Sequence, residues 1–89
     1  MHAVAVSLTI HERDAAVSEL HERVVPAERR APGFVASYWF ALPNDQGRGV
    51  IVFDSEDAAE AVAGQVGASR KRQAVTIDSV EVGEVVAHA

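Results

Sequence analysis

Cysteine is absent from this 89-residue chain. Without thiols the chain can form neither a disulfide framework nor a thiolate metal site, so two ways of stabilising a small protein are excluded. A chain of this length buries only about 60 to 65% of the surface that it exposes when unfolded. Association with a second copy is the remaining way to enlarge the core, and 48% hydrophobic residues favour it. We therefore expect one domain, residues 1–89, that forms a homodimer.

Positive charge and long apolar runs are also scarce. Eight basic residues, a single lysine among them, stand against 13 acidic residues and leave a net charge of −5. Nucleic-acid binding needs clustered positive charge to neutralise phosphates, so we expect no nucleic-acid partner. No apolar run approaches the ~20 residues of a membrane span, and the N-terminus lacks the pattern of a signal peptide. We therefore expect a cytoplasmic protein with no membrane partner.

The chain is organised around residues 33–54, which read as an aromatic strand, a polar loop and a second apolar strand. Strand side chains alternate between the two sides of a sheet. This alternation divides the first strand into two sets, Phe34, Ala36, Tyr38, Phe40 and Leu42 on one side and Val35, Ser37, Trp39 and Ala41 on the other. Both sets are apolar, and two short helices can cover only one face of such a sheet. We therefore expect a partner subunit to cover the other face.

Alternating or apolar runs predict four strands in all. Their expected bounds are residues 3–10, 34–42, 49–53 and 74 to about 87. The apolar residues of the last strand change parity after Ile77, so we expect a bulge or bend around Asp78 and Ser79 or at Gly83.

Two helices are predicted between these strands. The first follows a possible cap at Asp14, and its apolar stripe has helical spacing: Val17, Leu20, His21 and Val24. Pro26 should end or kink this helix, or begin a new one in its first turn. The second helix is capped by Asp54 or Ser55, and a basic loop at residues 69–73 follows it.

The order of elements is strand, helix, strand, strand, helix, strand. It predicts an α+β protein with the ferredoxin-like βαββαβ fold, a four-stranded antiparallel sheet with two helices on one face. Right-handed crossovers place strands one and three in the middle, and we expect these two to run parallel. The segments APGFVASYWF and GRGVIVFDSEDAAEAVAG resemble the dimeric α/β-barrel superfamily, which includes antibiotic-biosynthesis-type monooxygenases and stress-responsive barrel proteins of largely unknown function. The resemblance implies that the open faces of two sheets pack together into a dimeric barrel.

The chain departs from the monooxygenase branch of that superfamily at the residues that carry its chemistry. Haem-degrading and quinone-forming members typically use an asparagine near the first strand, with tryptophan or histidine lining the same cavity. Here the only asparagine, Asn44, lies in a predicted turn, and the only tryptophan, Trp39, lies in strand two. The resemblance therefore implies the fold far more than that activity.

His21 is the candidate catalytic residue, because it borders the apolar stripe of the first helix. A neutral imidazole there can act as a general base or orient a ligand in the cavity that the resemblance implies between helices and sheet. The alternative is a boundary histidine with one nitrogen in water. Tyr38, Trp39 and Phe40 are the candidate ligand-binding residues, since aromatic side chains suit a flat apolar ligand. Ordinary core or dimer packing is the alternative for these three.

The sequence contains no Gly-rich phosphate loop and no GxSxG nucleophile elbow, so we expect no cofactor. No metal site is expected either. Three functions remain open. The first is the binding of a small apolar or aromatic molecule between helices and sheet. The second is cofactor-independent monooxygenase or isomerase activity on an aromatic or polyketide-like substrate, and the third is a purely structural dimer with a filled core.

Overall fold

A computed structural model describes residues 1–69 and 74–89. Its strands are β1 (His2–Ile10), β2 (Phe34–Leu42), β3 (Gln46–Phe53) and β4 (Val75–Glu84). Its helices are α1 (Arg13–Glu19), α2 (Val25–Arg30) and α3 (Glu56–Ala68), and a π-helical segment, Leu20–Val24, joins α1 to α2. The predicted basic loop lies, apart from Ser69, outside the described residues. None of the described helices is long and apolar enough to cross a membrane.

The four strands form one sheet in the order β2-β3-β1-β4, which confirms the ferredoxin-like fold. Each neighbouring pair is antiparallel, so the expectation that strands one and three run parallel was wrong. The crossover through the first helical segment makes β1 and β2 point the same way, and the hairpin then reverses the chain. The strand inserted between them, β3, is therefore antiparallel to both.

The first helical segment continues past Pro26 to Arg30. Val25 donates its N–H to the carbonyl of Leu20, five residues earlier, which is the spacing of a π-helix. Pro26 lies in the first turn of α2, where its missing N–H costs least. A new helix with Pro26 in its first turn was one of the alternatives predicted, and it is the one observed. This helix places Glu28 over the sheet.

Two irregularities set which side chains face the helices. Ser7 pairs with Ser79 but Leu8 pairs with Ile77, so Asp78 is the extra residue of a bulge, as predicted. A second register shift lies between Phe34 and Ala36. It places Phe34 on the helix side, where its ring makes an edge-on contact with Phe53 at 6.3 Å between centroids. Simple alternation had placed Phe34 with Tyr38, and that expectation was wrong.

The core lies between the sheet and the helices. Its buried members are Val4, Val6, Leu8, Ile51, Phe53, Ala59 and Ile77. The opposite side of the sheet, here called the open face, carries the large side chains Tyr38, Phe40, Leu42, Val50 and Val52. Tyr38 is 70% exposed and Phe40 is 50% exposed, so a single chain leaves this apolar surface uncovered.

Candidate functional site

A cavity of about 570 Å³ lies between the helices and the sheet. Its walls are mainly apolar and come from each layer: Leu20 and Val24 from the π-helical segment, Trp39 and Ile51 from the sheet, and Val62 and Val66 from α3. The volume lies within the range of small-molecule sites. Exposed polar residues that also line the cavity, among them Arg13, Arg23 and Gln65, mark its mouth.

One buried carboxyl group lies in this wall. Glu28 of α2 is only 5% exposed, and no other polar residue of the described ranges is as deeply buried. Its Oε1 accepts a hydrogen bond from Ser37 Oγ at 2.8 Å, and its Oε2 accepts one from Trp39 Nε1 at 3.1 Å. Because Ser37 and Trp39 are two apart on β2, both project toward the helices and reach the same carboxyl group.

Burial raises the pKa of the Glu28 carboxyl above its ordinary value, and the hydrogen bonds from Ser37 and Trp39 oppose that rise only in part. Within residues 1–69 and 74–89, Glu28 has no cationic partner. A carboxylate with a raised pKa is a stronger base than an ordinary one, and an apolar cavity shields it from bulk water. The cavity therefore contains one group that is suited to acid–base chemistry.

Two glycines of β3 let neighbouring side chains pack against the strand beside the cavity. Gly47 and Gly49 are buried and two residues apart, so both lie on the helix side of the sheet. A Cβ atom at Gly49 would overlap the six-membered ring of Trp39. The bare backbone at Gly49 therefore lets the indole lie close against β3, where its Nε1 reaches Glu28.

The structure separates His21 from the central cavity. His21 is exposed and lines a second cleft along β2, which Tyr38 and Trp39 also line. Its catalytic role stays a prediction. Phe40 borders the central cavity although its side chain belongs to the open face, whereas Tyr38 does not border the cavity. Of the residues singled out from the sequence, Trp39 is the one hydrogen-bonded to Glu28.

Glu28 escaped the sequence analysis although its position carried a signal. It lies four residues after Val24 and eight after Leu20, on the continuation of the apolar stripe. Because Pro26 was expected to end or kink the helix, residue 28 was not assigned to the apolar stripe. Gly47 and Gly49 of β3 were a second overlooked signal, because a glycine inside a strand often marks a close approach by a neighbouring group.

Two histidines of the described residues contact polar side chains away from the cavity. His11 Nε2 is 2.7 Å from Thr76 Oγ1, and His2 Nε2 is 3.7 Å from Glu56 Oε2. No group of three or more His, Cys, Asp or Glu side chains that could hold a metal ion occurs within the part of the chain that the structure describes.

Solved structures of three other proteins share this architecture. HapK from Hahella chejuensis superposes with a TM-score of 0.73 at 14% identity, over 100% of this chain and 96% of that one. SnoaB, a cofactor-independent oxygenase from Streptomyces nogalater, gives 0.73 at 18% identity, over 98% and 94% of the two chains. An ethyl tert-butyl ether d (ethd) family protein from Bacillus halodurans C-125 gives 0.62 at 12% identity, over 97% and 100%.

The chain has their fold. The resemblance to ferredoxin-like α/β-barrel proteins that the sequence indicated is therefore confirmed at the level of architecture. No family model matches the chain, and no curated protein matches its sequence. Identities of 12 to 18% carry no activity from one protein to another, so function must be argued from the cavity.

Proposed function

We propose that the protein binds a small apolar or aromatic molecule in the cavity between its helices and sheet. The observation that carries this proposal is an apolar cavity of about 570 Å³ with one buried carboxyl group in its wall. Apolar walls favour a ligand whose surface is poorly hydrated, and a few polar groups fix its orientation. Glu28 supplies an acceptor for an O–H or N–H group of the ligand, and the Trp39 indole supplies a flat surface.

Fluorescence tests this proposal directly, because Trp39 is the only tryptophan of the chain. Titration with 2-naphthol, an aromatic alcohol, should change the Trp39 emission in a saturable way. Val62→Phe fills part of the cavity and should weaken binding roughly tenfold or more, since each 1.4 kcal/mol lost is a factor of ten. The matched control is Val86→Phe, at a side chain that is 91% exposed outside the strands. Equal affinity of both variants would contradict binding in this cavity.

Catalysis without a cofactor is the second candidate function. Its support is the raised pKa of Glu28 inside the cavity, together with the fold shared with SnoaB, which is described as a cofactor-independent oxygenase. In this function His21 keeps the role of proposed base in the outer cleft, and Tyr38, Trp39 and Phe40 that of proposed ligand contacts. The purely structural alternative receives less support, because a core filled by its own side chains leaves no cavity of this volume.

We also propose that the open face is covered by a second copy of this chain, and that the dimer functions in the cytoplasm. Large apolar side chains with 50 to 70% exposure on one sheet face are costly to leave in water. In a dimer with a two-fold axis, the open face of one copy packs against the open face of the other. Cell fractionation tests the location, and sedimentation tests the assembly.

A further inference from the structure

The surroundings of Glu28 differ from those of a carboxyl group that only stabilises a fold. Buried charges in proteins are generally paired with an opposite charge, because an unpaired charge is costly to remove from water. Here the two partners are neutral, Ser37 and Trp39. Charged residues do line the same cavity, namely Arg13, Glu19, Arg23 and Arg48. None of the three arginines forms an ion pair with Glu28 within the described ranges.

The two hydrogen bonds also leave acceptor capacity on the carboxyl group. Each carboxylate oxygen can accept two hydrogen bonds, and each oxygen of Glu28 receives one from the protein. The donors hold the group by both oxygens, so its orientation is set before a ligand arrives. Because Glu28 lines the cavity, a ligand bound against Trp39 lies within reach of this group.

We propose that Glu28 is a catalytic general base that moves a proton from one position of an enolisable aromatic ligand to another. The carboxylate takes the proton of an acidic C–H bond, and the electron pair of that bond passes into the conjugated system as an enolate. The protonated carboxyl group then returns the proton to a different carbon, which completes an isomerisation and restores the carboxylate. No oxidant, reductant or further reactant is needed.

This inference rests on the proposed binding function, and one experiment separates the two. The probe is 2-tetralone, an aromatic ketone with acidic hydrogen atoms beside its carbonyl group. Binding is followed by Trp39 fluorescence, and exchange of those hydrogen atoms for deuterium in D₂O is followed by NMR. Wild-type protein should accelerate the exchange on the order of 100-fold over buffer. The rate should rise with pH as the carboxyl group of Glu28 loses its proton.

Glu28→Gln is the decisive variant, because it keeps the size of the side chain and removes the base. It should bind 2-tetralone within a few-fold of wild type while exchange falls to the buffer rate. Glu22→Gln, at an exposed residue outside the cavity, is the matched control and should exchange as wild type does. Should Glu28→Gln prove unfolded by circular dichroism, Glu28→Asp serves instead, since it keeps an acid but withdraws it and should slow exchange at least tenfold.

The outcomes distinguish the two proposals. Binding of 2-tetralone with exchange that is the same in wild type and Glu28→Gln overturns the catalytic role and leaves the binding function in place. Absence of saturable binding contradicts the binding function and the catalytic role together. Binding with exchange that depends on Glu28 supports both.

Discussion

The buried carboxyl group of Glu28 makes the stability of the protein depend on pH. A carboxyl group whose pKa is higher in the folded than in the unfolded chain binds more protons when folded. The free energy of unfolding therefore falls as pH rises from about the ordinary value of 4.5 through the raised value in the folded protein. Glutamine cannot ionise, so Glu28→Gln should gain stability relative to wild type across this interval.

Urea unfolding at several pH values between about 4 and 8 measures this difference. The control is again Glu22→Gln, whose exposed side chain should give no such trend. Wild-type and Glu28→Gln stabilities that change in parallel with pH would contradict the buried, ionisable state of Glu28.

Gly49 is the residue that admits Trp39 to the cavity wall. Gly49→Ala places a methyl group where the indole lies, so the ring must move away from β3. Overpacking of this kind should lower the free energy of unfolding by about 1–3 kcal/mol. The Trp39 emission should shift as well, because the hydrogen bond from its Nε1 to Glu28 is lost. An unchanged emission spectrum and an unchanged urea midpoint would show that the ring does not rest on Gly49.

Single residues of the site were only partly predictable from the sequence. Trp39 was identified because β2 is apolar on both faces and an aromatic side chain there suits a flat apolar ligand. Glu28 was not, because burial of a charged side chain depends on a helix that continues past Pro26 and on donors from a strand nine to eleven residues later. Local patterns carry no information about such partners.

Helix α3 carries a glycine that weakens it without a structural role. Among the described residues, a Cβ atom at Gly64 would meet no atom within 4 Å beyond its own turn of helix. Gly64→Ala should therefore raise the free energy of unfolding by roughly 0.5–1 kcal/mol, through the lower flexibility of the unfolded chain and the better helix propensity of alanine. The reciprocal variant Ala61→Gly, at an exposed position of the same helix, should lose a similar amount. Thermal unfolding of both variants measures the effect, and a destabilised Gly64→Ala would contradict an open position.

The two bulges show what alternation can and cannot reveal about an element. In β4 the apolar residues change parity, and only an extra residue at Asp78 lets both sets face the core. In β2 both parities are apolar, so the register shift beside Val35 leaves no trace in the sequence. A bulge is therefore predictable in a strand with one apolar face and hidden in a strand with two.

At the scale of the whole molecule, the order of elements predicted the fold, because handed crossovers and a short hairpin leave few ways to arrange four strands. The central cavity was implied only by the resemblance to a known family. Its volume depends on the separation of helices from the sheet, which no local pattern encodes.

The two apolar sides of β2 lead to the prediction about assembly. Tyr38 lies on the open face, and in a single chain its side chain is 70% exposed. Tyr38→Glu would cost a monomer little, whereas in the proposed dimer it buries a carboxylate from each copy in the interface. Sedimentation velocity at micromolar concentration should show wild type with the mass of two chains and Tyr38→Glu with the mass of one.

Val86→Glu is the matched control, because it introduces the same charge at a side chain that is 91% exposed and lies outside the strands. It should sediment as the dimer does. A wild-type monomer would contradict the covering of the open face by a second copy. A Tyr38→Glu variant that remains dimeric would place the interface elsewhere. A buried carboxylate without a partner costs several kcal/mol, and the dimer would contain two of them. An interface of ordinary strength does not tolerate that cost.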